Sequence, residues 1–287
     1  VPTVTSLNNY SFAFNGFIFG GANSVYQVTS VEGLEGLPGI RNQDDNRGYF
    51  DGMFSGRDFY GGRNISVNLL TLEGNGFSAQ YNYNLLQANL LPQQTGTTPL
   101  QFQLSNAGTL QFINSRVRAN ATSIDPEYTY GYIKSTVSFF CPDPRYYDNS
   151  ANTTSLIVQT PLGRGYNRTY NVTYGGGTQG NTGLVVNQGT TTTYPTITIT
   201  GPATNPLVGN LTTGQSIQLN YSMVNTDIVV INLLNRTITL NGNPARNLIT
   251  GTSQWFAAPV GTSQFYFTAT GTTAGAGAVV SYYNAYI

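Results

Sequence analysis

No histidine occurs anywhere in the chain, which removes the commonest general base, the commonest metal ligand and every Ser-His or Cys-His nucleophile pair. Lysine occurs once, at Lys134, and the formal net charge is zero, so the chain has no basic field with which to gather phosphates. Nucleic acid is therefore excluded as an expected partner. The single cysteine, Cys141, cannot form an intrachain disulfide and reads as a small buried apolar residue. No window approaches the roughly 18 consecutive apolar residues of a membrane-spanning helix, so membrane insertion is not expected. The opening VPTVTSLNNYSF has neither the basic nor the apolar region of a secretory signal. Charged residues are only 8% of the chain, against about 25% in ordinary domains, and a surface so weakly charged tends to associate.

The few charges are not spread evenly. Ten of them, out of 12 basic and 12 acidic residues, fall between Glu32 and Arg63 in VEGLEGLPGIRNQDDNRGYFDGMFSGRDFYGGR. Arg41, Arg47, Arg57 and Arg63 alternate there with Asp44, Asp45, Asp51 and Asp58. Such a glycine-rich loop is satisfied either by water or by charge-assisted Arg-carboxylate pairing, and pairing is stronger where water is excluded, as between subunits. On the second reading Arg41, Asp44, Asp45, Arg47, Asp51, Phe54, Arg57, Asp58 and Arg63 form a subunit interface, with Phe50, Phe54 and Phe59 supplying apolar area.

Catalytic candidates are few. Asp44 with Asp45, or Asp125 with Glu127, are the carboxylate pairs that a glycosidase-like reaction would need. Asp125-Pro126 is more simply the start of a turn. The expectation is no enzyme, no cofactor and no metal site. Gly175 to Gly177 lack the Lys-Ser/Thr and the strand-to-helix setting of a phosphate loop.

Alternation dominates the rest. Gln101 to Ala119 reads as a hairpin, with a turn at 106–108 that sets Phe102 and Leu104, then Leu110 and Phe112, against Ile113 and Val117. GYIKSTVSFF, TITIT, SIQLNYSMV, DIVVINLLNRTITLNG, SQFYFTAT and GAVVSYYNAYI are β-branched and aromatic segments separated by Gly, Pro, Asn and Thr. A single segment, 77–91, carries helical spacing at Phe77, Tyr81, Leu85, Leu86 and Leu90. Ser78 can cap it, Pro92 stops it, and the apolar stripe is expected to pack on a sheet. Charge density falls beyond Tyr147 to Ala151, which suggests domains at 1–148 and 149–287. Residues 149–194 read either as a flexible linker or, favoured by the apolar area of Tyr166, Tyr170, Tyr174 and Leu184 to Val186, as short strands opening the second domain. Asn241-Gly242 signals a tight hairpin, and Trp255 a core anchor. The fold class expected is mainly β: an N-terminal sandwich with one helix, then a second sandwich.

Several of these patterns recur in one order that resembles siphophage distal tail proteins. The ordered set is Asp51-Gly52 and Arg63, then Asp143-Pro144 with Tyr147, Gly201, Asn205-Pro206, Arg236 with Asn241-Gly242, and Trp255 before Gly261. It departs from the family at Asn232, Asn235 and Arg236, which leave mainly amides where the family often has acidic and basic residues. The resemblance implies a virion protein at the tail tip. In that family a homo-oligomeric ring, usually a hexamer, is built by N-terminal domains, and galectin-like sandwiches project from it. Partners so implied are the tail tube protein, the tail-tip hub protein and other minor tail or receptor-binding proteins. A carbohydrate-binding adhesin, with GGTQGNTG and TGTTAGAG as rims of the second sandwich, is the rival reading. A generic capsid or fibre subunit is another.

Overall fold

A computed structural model describes residues 4–105, 108–157, 181–270 and 276–287. The loops expected as sugar rims, the triple glycine at 175–177, Tyr166, Tyr170, Tyr174 and part of the 106–108 turn lie wholly or largely outside the described residues. Two compact units result: Val1–Asn149 with Tyr286–Ile287, and Ser150–Ala285.

In the first unit, the strands Arg63–Thr71 and Ile133–Cys141 pair antiparallel, and each buries every second residue along its length. This is the signature of a sheet with one face on a core. The sheet runs in the order Phe17–Gly20, Ser11–Phe14, Thr98–Gln103, Gln111–Ser123, Ile133–Cys141, Arg63–Thr71, Tyr26–Glu32. Gln111–Ser123 belongs to two wings, pairing with Thr98–Gln103 through Ser115 and with Ile133–Cys141 from Arg116 onward. A bulge between Val117 and Ala119 bends it, as an extra residue in one strand must. The wings then face one another across a shared core, where the Phe14 and Phe139 rings lie 5.3 Å apart. The expected hairpin is present, with Phe102 opposite Gln111 and Leu100 opposite Ile113. Phe112 faces the other way, onto the Tyr147 ring.

The helix spans Ala79–Asn89, shorter than 77–91, and Ser78 caps it by accepting from the Tyr81 N–H. Its inner face keeps only Leu86 and Leu90 of the expected stripe. Ala79, Tyr83, Leu86 and Leu90 are buried, while Phe77, Tyr81 and Leu85 are exposed. Two apolar stripes share this helix, and polar partners decide between them. Asn82 donates to the Leu72 carbonyl at 2.9 Å, Tyr26 donates to the Asn82 carbonyl, and the Tyr83 hydroxyl meets Thr122. Phe77 and Tyr81 stack on each other outside instead, 4.4 Å between centroids.

The second unit is a two-sheet sandwich. One sheet orders Asn152–Ile157, Gly277–Tyr282, Thr196–Thr200, Ile228–Asn232, Thr237–Leu240 and Asn243–Pro244. The other orders Thr182–Asn187, Gly261–Thr270, Ala203–Asn210 and Gln215–Gln218, with Ser222–Met223 beside the third. Ile197, Ile199, Val229 and Ile231 from the first meet Phe265, Phe267, Val208 and Ile217 from the second in one core. Asn241 and Gly242 both have positive φ (50° and 83°) and join Leu240 to Asn243 in the two-residue turn expected of Asn-Gly. Trp255 is only partly buried at the core margin, with the Arg246 guanidinium 5.8 Å over its ring. Phe256 takes the anchoring place, buried against Phe265, because adjacent residues in extended chain face opposite ways.

Candidate functional site

The charged loop forms an arm. Ile40–Arg41 pairs with Phe59–Tyr60, and Asp45–Asn46 pairs with Met53–Phe54, so the chain runs out and back as a narrow hairpin. Gly61 N–H donates to the Gly39 carbonyl at 2.7 Å at its root, and Gly56 N–H donates to Asp44 Oδ1 at 2.8 Å midway. Every residue from Arg41 to Asp58 is exposed. At the tip, Tyr49 is 98% and Phe50 80% exposed, so these rings touch almost nothing of their own chain.

The arginines of the arm lie over aromatic rings. Arg41 and Arg57 sit 5.5 and 5.2 Å from the Phe59 centroid, and Arg47 sits 5.1 Å from that of Phe54. Among the described residues no ion pair joins them to the neighbouring aspartates. Stacking occupies the face of a guanidinium and leaves its N–H edge available for a carboxylate. Asp44 is tied to Gly56 and Asn42, and Asp45 accepts from the Asn46 N–H, which is a turn's hydrogen bonding and not that of a catalytic pair. Asp51 and Asp58 are exposed beside them.

Arg63 does not belong to this surface, although the sequence grouped it there. It is 2% exposed and occupies the core-facing row of its strand, opposite Cys141. Its Nε donates to the Pro144 carbonyl at 3.2 Å, and one terminal nitrogen donates to the Gly33 carbonyl at 3.1 Å and to that of Leu34. Burial lowers its pKa from the usual arginine value. Arg63 thus binds the strand leaving the arm to the segment entering it and to the Asp143-Pro144 turn. In that turn Asp143 pairs with Arg145 at 3.0 Å and accepts from the Tyr147 hydroxyl at 2.6 Å.

Burial also pushes the Cys141 thiol up to about 12, with the nearby Arg63 charge opposing the shift. The reactive thiolate is suppressed. A thiol reagent such as DTNB should therefore leave the native protein unlabelled at about pH 8 and titrate its thiol only once guanidinium chloride has unfolded it. Labelling at equal rates in both states would contradict the burial.

Other sequence candidates take structural places. Asp125 caps the short 3₁₀ turn Pro126–Tyr130 by accepting from the Glu127 N–H, and Lys134 pairs with both carboxylates, at 3.2 and 2.7 Å. Asn232 Oδ1 accepts from the Asn235 N–H, so the amides that depart from the family hold a turn. Asp227 accepts from Asn241, from the Val224 N–H and from Tyr221, and the Asn241 bond foremost holds its pKa below the usual carboxylate value. Among the described residues no cluster of His, Cys, Asp and Glu is arranged to hold a metal ion, and no helix is long and apolar enough to cross a membrane.

One pair of residues was missed from the sequence. Arg116 and Arg118 both lie over the Phe140 ring, 5.6 and 4.9 Å from its centroid, on the sheet face away from the core. The signal was present as Arg-Val-Arg in an alternating strand, which puts both arginines on one face.

Comparison with known proteins agrees with the fold. Residues 188–286 match the family described as siphovirus-type tail component, C-terminal domain. No curated relative matches the chain. Among solved structures, the chain is similar to the Dit protein of phage SPP1, described as a paradigm of the hub adsorption apparatus in phages infecting Gram-positive bacteria. That similarity has 16% identity and a TM-score of 0.65, covering 96% of this chain and 99% of the other. The phage P2 baseplate in its activated conformation with calcium is similar at 12% identity and TM-score 0.51, covering 94% of this chain and 97% of the other. Its strontium form gives 12% and 0.50, covering 96% and 98%. The resemblance to siphophage distal tail proteins, and the mainly β fold it implied, are borne out.

Proposed function

We propose that this protein is a structural, non-enzymatic component at the distal end of a long-tailed phage's tail, where copies of it join through the arm into a closed ring. The arm carries the reading. It exposes Tyr49, Phe50, Met53 and Phe54 together with three arginines and four aspartates, a mixture that dissolves poorly as a free hairpin and suits an interface. A ring requires one patch to meet a different patch on the next copy, and a projecting arm is such a patch. The fold agrees with that of the SPP1 hub protein, and residues 188–286 match a tail-component domain. By the same analogy the ring is hexameric and sits between the tail tube and the tail-tip hub. Other minor tail or receptor-binding proteins attach there.

Native mass spectrometry of the full chain tests the assembly. A closed oligomer is expected, and the variant carrying Tyr49→Ser, Phe50→Ser and Phe54→Ser should fall to monomer with an unchanged far-UV CD spectrum. A wild-type protein that stays monomeric at high concentration and low salt overturns the proposal. Antibody labelling of virions tests the location, with label expected at the tail tip; label on the head alone would contradict it.

A further inference from the structure

Arg116, Arg118 and Phe140 make a platform on the outer sheet face of the first unit. Arg118 is the extra residue of the bulge, since Val117 pairs with Phe139 and Ala119 with Ser138. Both guanidiniums share one ring, and neither has a carboxylate partner among the described residues. Every other described cation of this unit outside the arm is accounted for. Lys134 pairs with Asp125 and Glu127, Arg145 pairs with Asp143, and Arg63 is buried on carbonyl groups. Two like charges held together without an acid raise the local potential, and a carboxylate brought there relieves it.

We infer that this platform receives the arm of a second copy, with the carboxylate of Asp51 near the arm's tip meeting Arg118 and Arg116. The inference rests on the reading of the arm as a ring contact. Charge is the first argument: among the described residues the arm's aspartates have no ion pair in their own chain, and the platform's arginines have none either. Reach is the second. From its root at Gly39 and Gly61 to Gly48 the arm has about 9 residues on its outgoing side, which extended span about 30 Å. A compact unit of about 150 residues has a radius of gyration near 15 Å and is therefore about 40 Å across. Position is the third. A side chain at Gly62 would lie 2.9 Å from the Phe140 ring, so the platform abuts the root of its own arm. An arm that reaches most of the way across a neighbouring unit and docks on its platform gives each copy one donor patch and one acceptor patch, as a closed ring demands.

The helix stripe of Phe77, Tyr81 and Leu85 is another exposed apolar surface of this unit, but the helix carries no charged residue to meet the aspartates.

A charge exchange between two variants tests the inference. Arg118→Glu and Asp51→Arg each set like charges against like in a homogeneous ring, and each alone should weaken association by about tenfold or more. Mixed in equal amounts they should assemble again, in alternating order. Every contact then pairs an unaltered arm with an unaltered platform, or an arm made basic at its tip with a platform made acidic. Both positions are exposed, so each variant should keep the far-UV CD spectrum of the wild-type protein. Assembly of the Arg118→Glu variant at the wild-type concentration overturns the platform, and a mixture that stays dissociated overturns its pairing with Asp51. If the Tyr49, Phe50 and Phe54 serine variant also assembles normally, the arm reading fails with it. If that variant alone dissociates, the arm reading stands, and dissociation by Phe77→Ser with Leu85→Ser moves the acceptor to the helix.

Discussion

Replacing Arg63 with methionine should destabilise the first unit by about 3 kcal/mol, although methionine keeps much of the length and removes a desolvated charge. The loss comes from the partners left behind. Pro144, Gly33 and Leu34 present carbonyl oxygens to the guanidinium, and methionine offers them no donor. Buried acceptors without donors each cost on the order of 1–3 kcal/mol, offset in part by the relief of burying a cation. Lysine should restore little, since its three donors radiate from one nitrogen while these carbonyls need the separate nitrogens of a planar fork. Urea unfolding followed by hydrogen exchange in the strands Arg63–Thr71 and Ile133–Cys141 measures the effect without averaging over both units. A change within about 0.5 kcal/mol, typical of a surface site, would show that the three segments hold together without Arg63.

A second large effect is expected at Phe139. Its ring is 1% exposed and packs against Phe14 of the opposite wing, so alanine leaves a cavity where the two wings meet. Such truncations cost about 3–5 kcal/mol, the upper part of the range applying where the site cannot collapse. Collapse is resisted here because Gln111–Ser123 links both wings through hydrogen bonds on either side of the bulge. Phe77→Ala provides the contrast. The same side chain is removed, but from an exposed position, and the expected change is within about 0.5 kcal/mol. Equal losses at Phe77 and Phe139 in hydrogen exchange of the first unit would contradict the assignment of the helix faces.

These two residues mark where reading the chain succeeds and where it stops. Phe139 lies in GYIKSTVSFF, whose alternation announced a half-buried strand, and the strand Ile133–Cys141 buries every second residue accordingly. Ser78 as a cap, Asn241-Gly242 as a hairpin and Cys141 as a core residue were equally legible, because each depends on a residue's own chemistry or on near neighbours. Arg63 was misplaced for the opposite reason. Its phase with Ile65, Val67 and Leu69 was readable in the alternating run RNISVNLL, but only the carbonyls of Gly33, Leu34 and Pro144, brought in from distant positions, let an arginine sit on that core row. The helix was found and Leu86 and Leu90 face inward as expected, but Phe77, Tyr81 and Leu85 do not, since periodicity reports two apolar stripes and the partners of Asn82 and Tyr83 choose between them.

The amino-acid order by itself determined the mainly β class, the exclusion of histidine-based chemistry and the concentration of charge in one stretch, because composition and period-two patterning are properties of the chain. Tertiary structure alone decided that this stretch projects as an arm, that Arg63 leaves it for the core, and that Arg116 and Arg118 share the Phe140 ring. Each of those outcomes depends on strands far apart in the chain meeting in register, and register is set by the whole core and not by any local run of residues.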